Sequence, residues 1–166
     1  MHLLYQTLWN PEKFLDSIFE NLEQTWIDVS NFELDHICYR TETLDEYERL
    51  KQEISKHAKL LIENIIWGRN IATYELFIPF QYKNRIIRLL ELPAPKQGSK
   101  YSSWYEHVEF VTWVTPQNFM EKYPEIEFDT RALHMPVNND ISLDFWKVSV
   151  KFHQFPLDYI IKNFEQ

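Results

Sequence analysis

One short pattern occurs twice in this chain, and the duplication restricts the available folds more than any other feature. Asp35-His36-Ile37 opens the first half, and Glu106-His107-Val108 opens the second. Leu90-Glu91-Leu92-Pro93 closes the first half; Phe152-His153-Gln154-Phe155-Pro156 closes the second. An internal repeat of this length means that one supersecondary unit is used twice. A proline-flanked linker, Pro93-Ala94-Pro95-Lys96-Gln97-Gly98-Ser99-Lys100, divides the copies.

Each copy reads as β-α-β-β-β. Leu34–Arg40 alternates like a half-buried strand, and Thr43 with Glu46 forms a capping-box signature. Leu44, Tyr47, Leu50 and Ile54 then follow at helical spacing. Strands are predicted at Lys59–Trp67, Ile71–Phe80 and Arg85–Leu92, with turns at Gly68-Arg69-Asn70 and Gln81–Asn84. In the second copy Tyr105–Thr112 predicts a strand, and Thr115-Pro116 opens a helix to about Lys122. Strands near Arg131–Met135, Ile141–Trp146 and Lys147–Gln154 follow, then a closing helix from about Leu157. Ahead of both copies, Asn10-Pro11 starts an amphipathic helix over roughly 11–27, with Phe14, Leu15, Ile18, Phe19, Leu22 and Trp26 on its stripe. The expected organisation is an N-terminal helical segment (1–30), a first module (31–95) and a second (96–166), together one compact α+β domain.

Composition removes several function classes. The net charge of −8, with no run of Lys and Arg, disfavours nucleic acid as a partner. Only two glycines are present, too few for the phosphate-cradling loops of common nucleotide sites. Cys38 is the sole cysteine, which excludes an internal disulfide and a Cys-rich zinc site. No apolar stretch approaches the ~18 residues that span a bilayer, and no leader pattern opens the chain. The expectation is a cytoplasmic protein with a small-molecule partner, monomeric or homodimeric, bound to neither nucleic acid nor membrane.

Residue parity then sorts the strand faces. His36, Cys38 and Arg40 share one face of the first strand, and Glu91 shares its face with Leu89 and Ile87. His107 lies with Glu109, opposite Val108 and Phe110. In the last strand Ser149, Lys151 and His153 lie opposite Val148, Val150 and Phe152. The apolar faces have helices available to cover them. If two curved, mixed sheets pair side by side, the polar faces line one inner cup, and His36, Glu91, His107 and His153 converge there. Nitrogen and carboxylate donors suit a divalent Zn, Mn, Fe or Ni ion, with Glu109 placed to orient His107.

At this point the residues carry a family likeness. Asp35-His36-Ile37-Cys38-Tyr39-Arg40, Gly68-Arg69, Glu91-Leu92-Pro93-Ala94-Pro95, Glu106-His107-Val108-Glu109 and Lys151-Phe152-His153 resemble the bacterial YecM-like proteins of the vicinal oxygen chelate superfamily. The likeness covers about residues 30–160 and implies paired βαβββ modules, preceded by the N-terminal helix, around a divalent-metal site. It places metal ligands at His36, Glu91, His107 and His153, and it assigns no catalytic residue. In the glyoxalase pattern the fourth position is usually a glutamate that serves as base for proton transfer next to a carbonyl. His153 stands there instead, which weakens the case for glyoxalase activity.

Competing roles are open for several of these residues. Glu91 has Arg40 or Lys151 as alternative ion-pair partners. Arg40 and Lys151 suit either an anionic substrate or structural pairing, and Cys38 suits either an inward site or a small buried thiol. His2, His57 and His134 read as a chain end, a helix end and a surface position. The functional expectation is a metal-dependent enzyme (isomerase, lyase or oxygenase) acting on a small oxygen-rich molecule; the alternative is a non-catalytic small-molecule or metal-binding protein.

Overall fold

A computed structural model describes residues 2–98 and 100–164, so Ser99 of the linker lies outside the described residues. The elements run α1 (Tyr5–Leu8), α2 (Glu12–Thr25), β1 (Glu33–Arg40), α3 (Leu44–Ile54), β2 (Ala58–Ile66), β3 (Arg69–Tyr82), β4 (Arg85–Pro93), β5 (Trp104–Val111), α4 (Pro116–Glu121), β6 (Asp140–Phe145), β7 (Val148–His153) and α5 (Leu157–Phe164). This is an α+β fold. The chain forms two compact units: Met1–Glu12 with His36–Glu106, and Lys13–Asp35 with His107–Gln166.

In the first unit the strand order is β2-β3-β4-β1. β2, β3 and β4 are successive antiparallel neighbours, and β4 pairs β1 in parallel. A parallel return needs a crossover, and α3 supplies its helix. Thr43 Oγ1 accepts the Glu46 N–H at 3.1 Å, and Glu46 Oε2 accepts the Glu42 N–H at 3.0 Å. Such a cap contributes about 1 kcal/mol to helix stability. Tyr47, Leu50 and Ile54 of α3 are buried, as are Ile37, Tyr39, Ala72, Tyr74, Leu90 and Leu92 on the strands. The first hairpin turns on Trp67-Gly68, at φ 52° and 78°, and Ile66 already pairs with Arg69. The turn therefore sits ahead of the expected Gly68-Arg69-Asn70. Two residues at positive φ match the twist of the flanking strands, whereas a two-residue turn at negative φ would splay them.

In the second unit the order is β5-β7-β6, with β5 and β7 parallel and β6 antiparallel to β7. An aromatic core covers one face: Phe119 of α4 stacks on Phe152 at 4.7 Å, and Phe19 of α2 meets Phe110 edge-on at 6.1 Å. The strand expected near Arg131–Met135 does not form; these residues are turns, and a single bridge joins Asp129 to Ser142. Asp129 Oδ1 captures the Arg131 N–H at 2.9 Å, and turn bonds join Leu133 N to Thr130 O and Met135 N to Ala132 O. Those local bonds occupy backbone donors that a sheet ladder would need. Trp113 and Trp146 are 59% and 91% exposed at positive-φ positions. Among the described residues no helix is long and apolar enough to cross a membrane.

Candidate metal centre

β1 and β4 bring His36 and Glu91 together within the first unit. Their parallel register sets His36 opposite Leu89 and Cys38 opposite Glu91, so His36 and Glu91 share a face one diagonal step apart. His36 is fully buried, and its Nε2 stands 3.6 Å from Glu91 Oε2. Cys38 is a buried thiol whose Sγ lies 3.9 Å from Glu106 Oε2. Arg40 pairs with Glu106 at 3.7 Å.

The second unit holds the other polar face. Registers His107↔Ser149, Glu109↔Lys151 and Val111↔His153 put His107, Glu109, Lys151 and His153 on one side, joined from β6 by Asp140 opposite His153. Glu109, only 3% exposed, is the hub of this group. Its Oε1 lies 3.3 Å from His107 Nε2 and 2.8 Å from Lys151 Nζ, and its Oε2 lies 3.9 Å from His153 Nδ1. Lys151 also stands 3.8 Å from Asp140. His153 is fully buried, with Nδ1 3.0 Å from Asn138 Oδ1 and Nε2 3.5 Å from Asp35 Oδ2.

Asp35, Asn138 and Asp140 were not singled out from sequence. Asp35 does leave a signal: a carboxylate at an apolar-parity position of a buried strand is costly to bury without a partner. Here its Oδ2 accepts the Leu157 N–H at 3.1 Å, at the start of α5, and faces His153. Lys151 pairs with Glu109, and Arg40 with Glu106. Of the histidines left outside the set, His134 is exposed, whereas His2 is tied down, its Nε2 2.7 Å from Ile78 O.

The donor chemistry fits a divalent metal. Two ligands about 2.1 Å from one ion, at the tetrahedral angle, stand roughly 3.4 Å apart. The His–carboxylate separations are 3.6 Å for His36/Glu91, 3.3 Å for His107/Glu109 and 3.5 Å for His153/Asp35. Each exceeds the 2.7–3.2 Å of an ordinary N–H···O bond, and each pair belongs to a group offering potential metal-ligand atoms. Glu109 and Asp140 are both buried acids, and Lys151 stands 2.8 Å from the first and 3.8 Å from the second.

The family model described as YecM protein matches residues 4–143. Protein YecM of Escherichia coli is 22% identical over 167 positions, covering 91% of this chain and 88% of that protein. An uncharacterized protein of Haemophilus influenzae is 29% identical over 97 residues, 58% of this chain, and the match spans about half of that protein, 51%. Among solved structures, Protein EC4020 superposes with a TM-score of 0.79 at 23% identity, covering 92% of this chain and 87% of that one. A methylmalonyl-CoA epimerase in complex with methylmalonyl-CoA and NH4+ gives 0.53 at 14% identity, covering 76% and 96%. These likenesses show a glyoxalase-like fold.

Proposed function

The chain belongs to the YecM protein family, and on that footing we propose that it is a protein of the vicinal oxygen chelate type that binds a divalent metal ion and acts on a small oxygen-rich substrate. The candidate ligands are His36 with Glu91 in the first unit, and His107 and His153 with Glu109 in the second. One observation carries this reading: each unit sets a buried histidine beside a carboxylate at the edge length of a metal coordination shell, 3.6 Å and 3.3 Å. A bound divalent ion supplies Lewis acidity toward a carbonyl or enolate oxygen. The protein's own groups do the positioning. Lys151 holds Glu109 at 2.8 Å and so fixes its carboxylate 3.3 Å from His107 Nε2. The fold neighbour bound to methylmalonyl-CoA supports a carbonyl-bearing substrate, in which adjacent oxygens chelate the ion.

The Lys151–Glu109 pair favours a second reading, a non-catalytic binding protein, because a carboxylate held by an ammonium is a poor proton acceptor. Substrate profiling of metal-loaded protein across 1,2-dicarbonyls, 2-acyl thioesters and catechols separates the two. An enzyme shows turnover that His107→Ala abolishes; a binding protein shows saturable binding without turnover.

A further inference from the structure

Two arginines meet a single carboxylate in the first unit. Arg40 Nη1 lies 3.7 Å from Glu106 Oε1, and Arg69 Nη2 lies 3.9 Å from Glu106 Oε2. All three side chains are largely withdrawn from water, at 22%, 19% and 27% exposure. Among the described residues, the remaining polar contacts of the arginines are to neutral carbonyls: Arg40 Nε donates to Ser102 O at 3.3 Å, and Arg69 Nη1 donates to Ala94 O at 3.4 Å. Arg40 also lies over the Tyr101 ring, 4.8 Å from its centre, which restrains the guanidinium plane. Arg69 follows the tight Trp67-Gly68 turn, so its backbone is restrained as well.

The charge count does not close. Two guanidinium groups, each permanently charged, face one carboxylate, leaving a positive surplus in a protein whose net charge is −8. The separations exceed the 2.7–2.9 Å of a saturated guanidinium–carboxylate pair. Each guanidinium carries five N–H donors, and Glu106 with two carbonyls engages only some of them. By strand parity Arg40 also shares the β1 face with His36, about 13 Å along the strand at ~3.3 Å per residue.

We propose that Arg40 and Arg69 form a subsite for the oxyanion of a small ligand, a carboxylate or phosphate group, with Glu106 as the internal anion that the ligand displaces or joins. The proposal deepens the functional reading above and rests on it for the substrate's other end, adding that the oxygen-rich substrate is anionic. Tyr101, beneath Arg40, is a positioning residue.

The test uses the full chain dialysed against EDTA, so that anion binding is read without metal. Inorganic phosphate and malonate are titrated separately by calorimetry at low ionic strength. The expected result is saturable binding of at least one, the tighter of the two identifying the oxyanion class. Arg69→Gln is expected to weaken it tenfold or more, and Glu106→Gln to tighten it several-fold because the internal competitor is gone. Should Arg69→Gln fail to fold, Glu106→Gln alone decides the matter by the sign of its effect. Failure of both anions to bind the wild-type chain, equal binding by Arg69→Gln, or weaker binding by Glu106→Gln would each overturn the proposal. Metal content, measured independently on undialysed protein, shows whether the metal reading fails with it.

Discussion

Lys151 stands on β7 at the register position that Glu91 holds on β4. Glu91 lies opposite Cys38 and Lys151 opposite Glu109, each two residues beyond its neighbour strand's histidine. By register the counterpart of Glu91 is therefore Lys151, and His153 lies two places further on. The duplicated fold presents an acid in one copy and a base at the matching position of the other. Lys151 neutralises Glu109, which a second buried carboxylate would have repelled.

Removing that ammonium tests its weight. Lys151→Met leaves Glu109, 3% exposed, without its 2.8 Å partner. Breaking a buried pair from one side costs roughly 3 kcal/mol. Urea unfolding of EDTA-treated protein is expected to show that loss, and saturating Zn or Mn is expected to recover most of it by supplying a second cation. A loss under about 1 kcal/mol would place the pair among weak surface contacts.

Glu63 governs part of the acid limb of stability. Burial pushes its carboxyl up, but the Lys51 ammonium at 2.7 and 2.9 Å, the Tyr47 hydroxyl at 2.7 Å and Asn70 pull further, so its pKa lies below the ordinary 4.5. A depressed folded-state value means that the stabilisation is complete above the unfolded value, near 4.5, and is lost as pH falls through the folded value. Glu63→Gln is expected to be less stable than wild type at pH 7, with the gap closing from about pH 4.5 downward in melting curves. A gap that stays constant to pH 2.5 would contradict this assignment.

Trp146 turns the β6–β7 hairpin at φ 60° with its ring 91% exposed, and its ring contact is the Lys147 ammonium, 4.6 Å away. Left-handed backbone costs a side-chain-bearing residue roughly 1–2 kcal/mol, more than an exposed cation–π contact of ~0.5 kcal/mol returns. Trp146→Gly is expected to raise unfolding stability by up to about 1 kcal/mol, after the entropy that glycine adds to the unfolded chain. A fall of that size would mean the indole packs against something in solution.

Much of the architecture was legible because its signals are local. The alternation of Leu34–Arg40, the Thr43/Glu46 capping box and Thr115-Pro116 each mark an element that forms within a residue or two of the expected bounds. Parity put His107 and Glu109 on one face, and those two side chains do meet; His36 and Glu91, on separate strands, are brought within 3.6 Å by the β1–β4 register. Parity could not choose between Lys151 and His153 as the partner of the Glu91 position. The two are separated by one full strand repeat and share a face, and only the hydrogen-bonded ladder decides between them. Asp35 was hidden for a related reason: its role depends on the backbone of α5, far away in the chain. The turn at Trp146 escaped because tryptophan carries none of the ordinary turn chemistry.

The central claim is that the buried histidine–carboxylate sets, His36 with Glu91 in one unit and His107 and His153 with Glu109 in the other, are divalent-metal ligands. Its most direct measurement is elemental analysis of the full chain purified without an affinity tag, compared with His36→Ala and His107→Ala and repeated after dialysis at pH 4.5. Imidazoles bind metal only when neutral, and their ordinary pKa is about 6.5. The expected result is near-stoichiometric Zn, Mn, Fe or Ni at pH 7.5, loss of most of it in at least one of the two variants, and release at pH 4.5. Folded wild-type protein that takes up no divalent metal at pH 7.5, or that keeps it unchanged in both variants, would contradict the account.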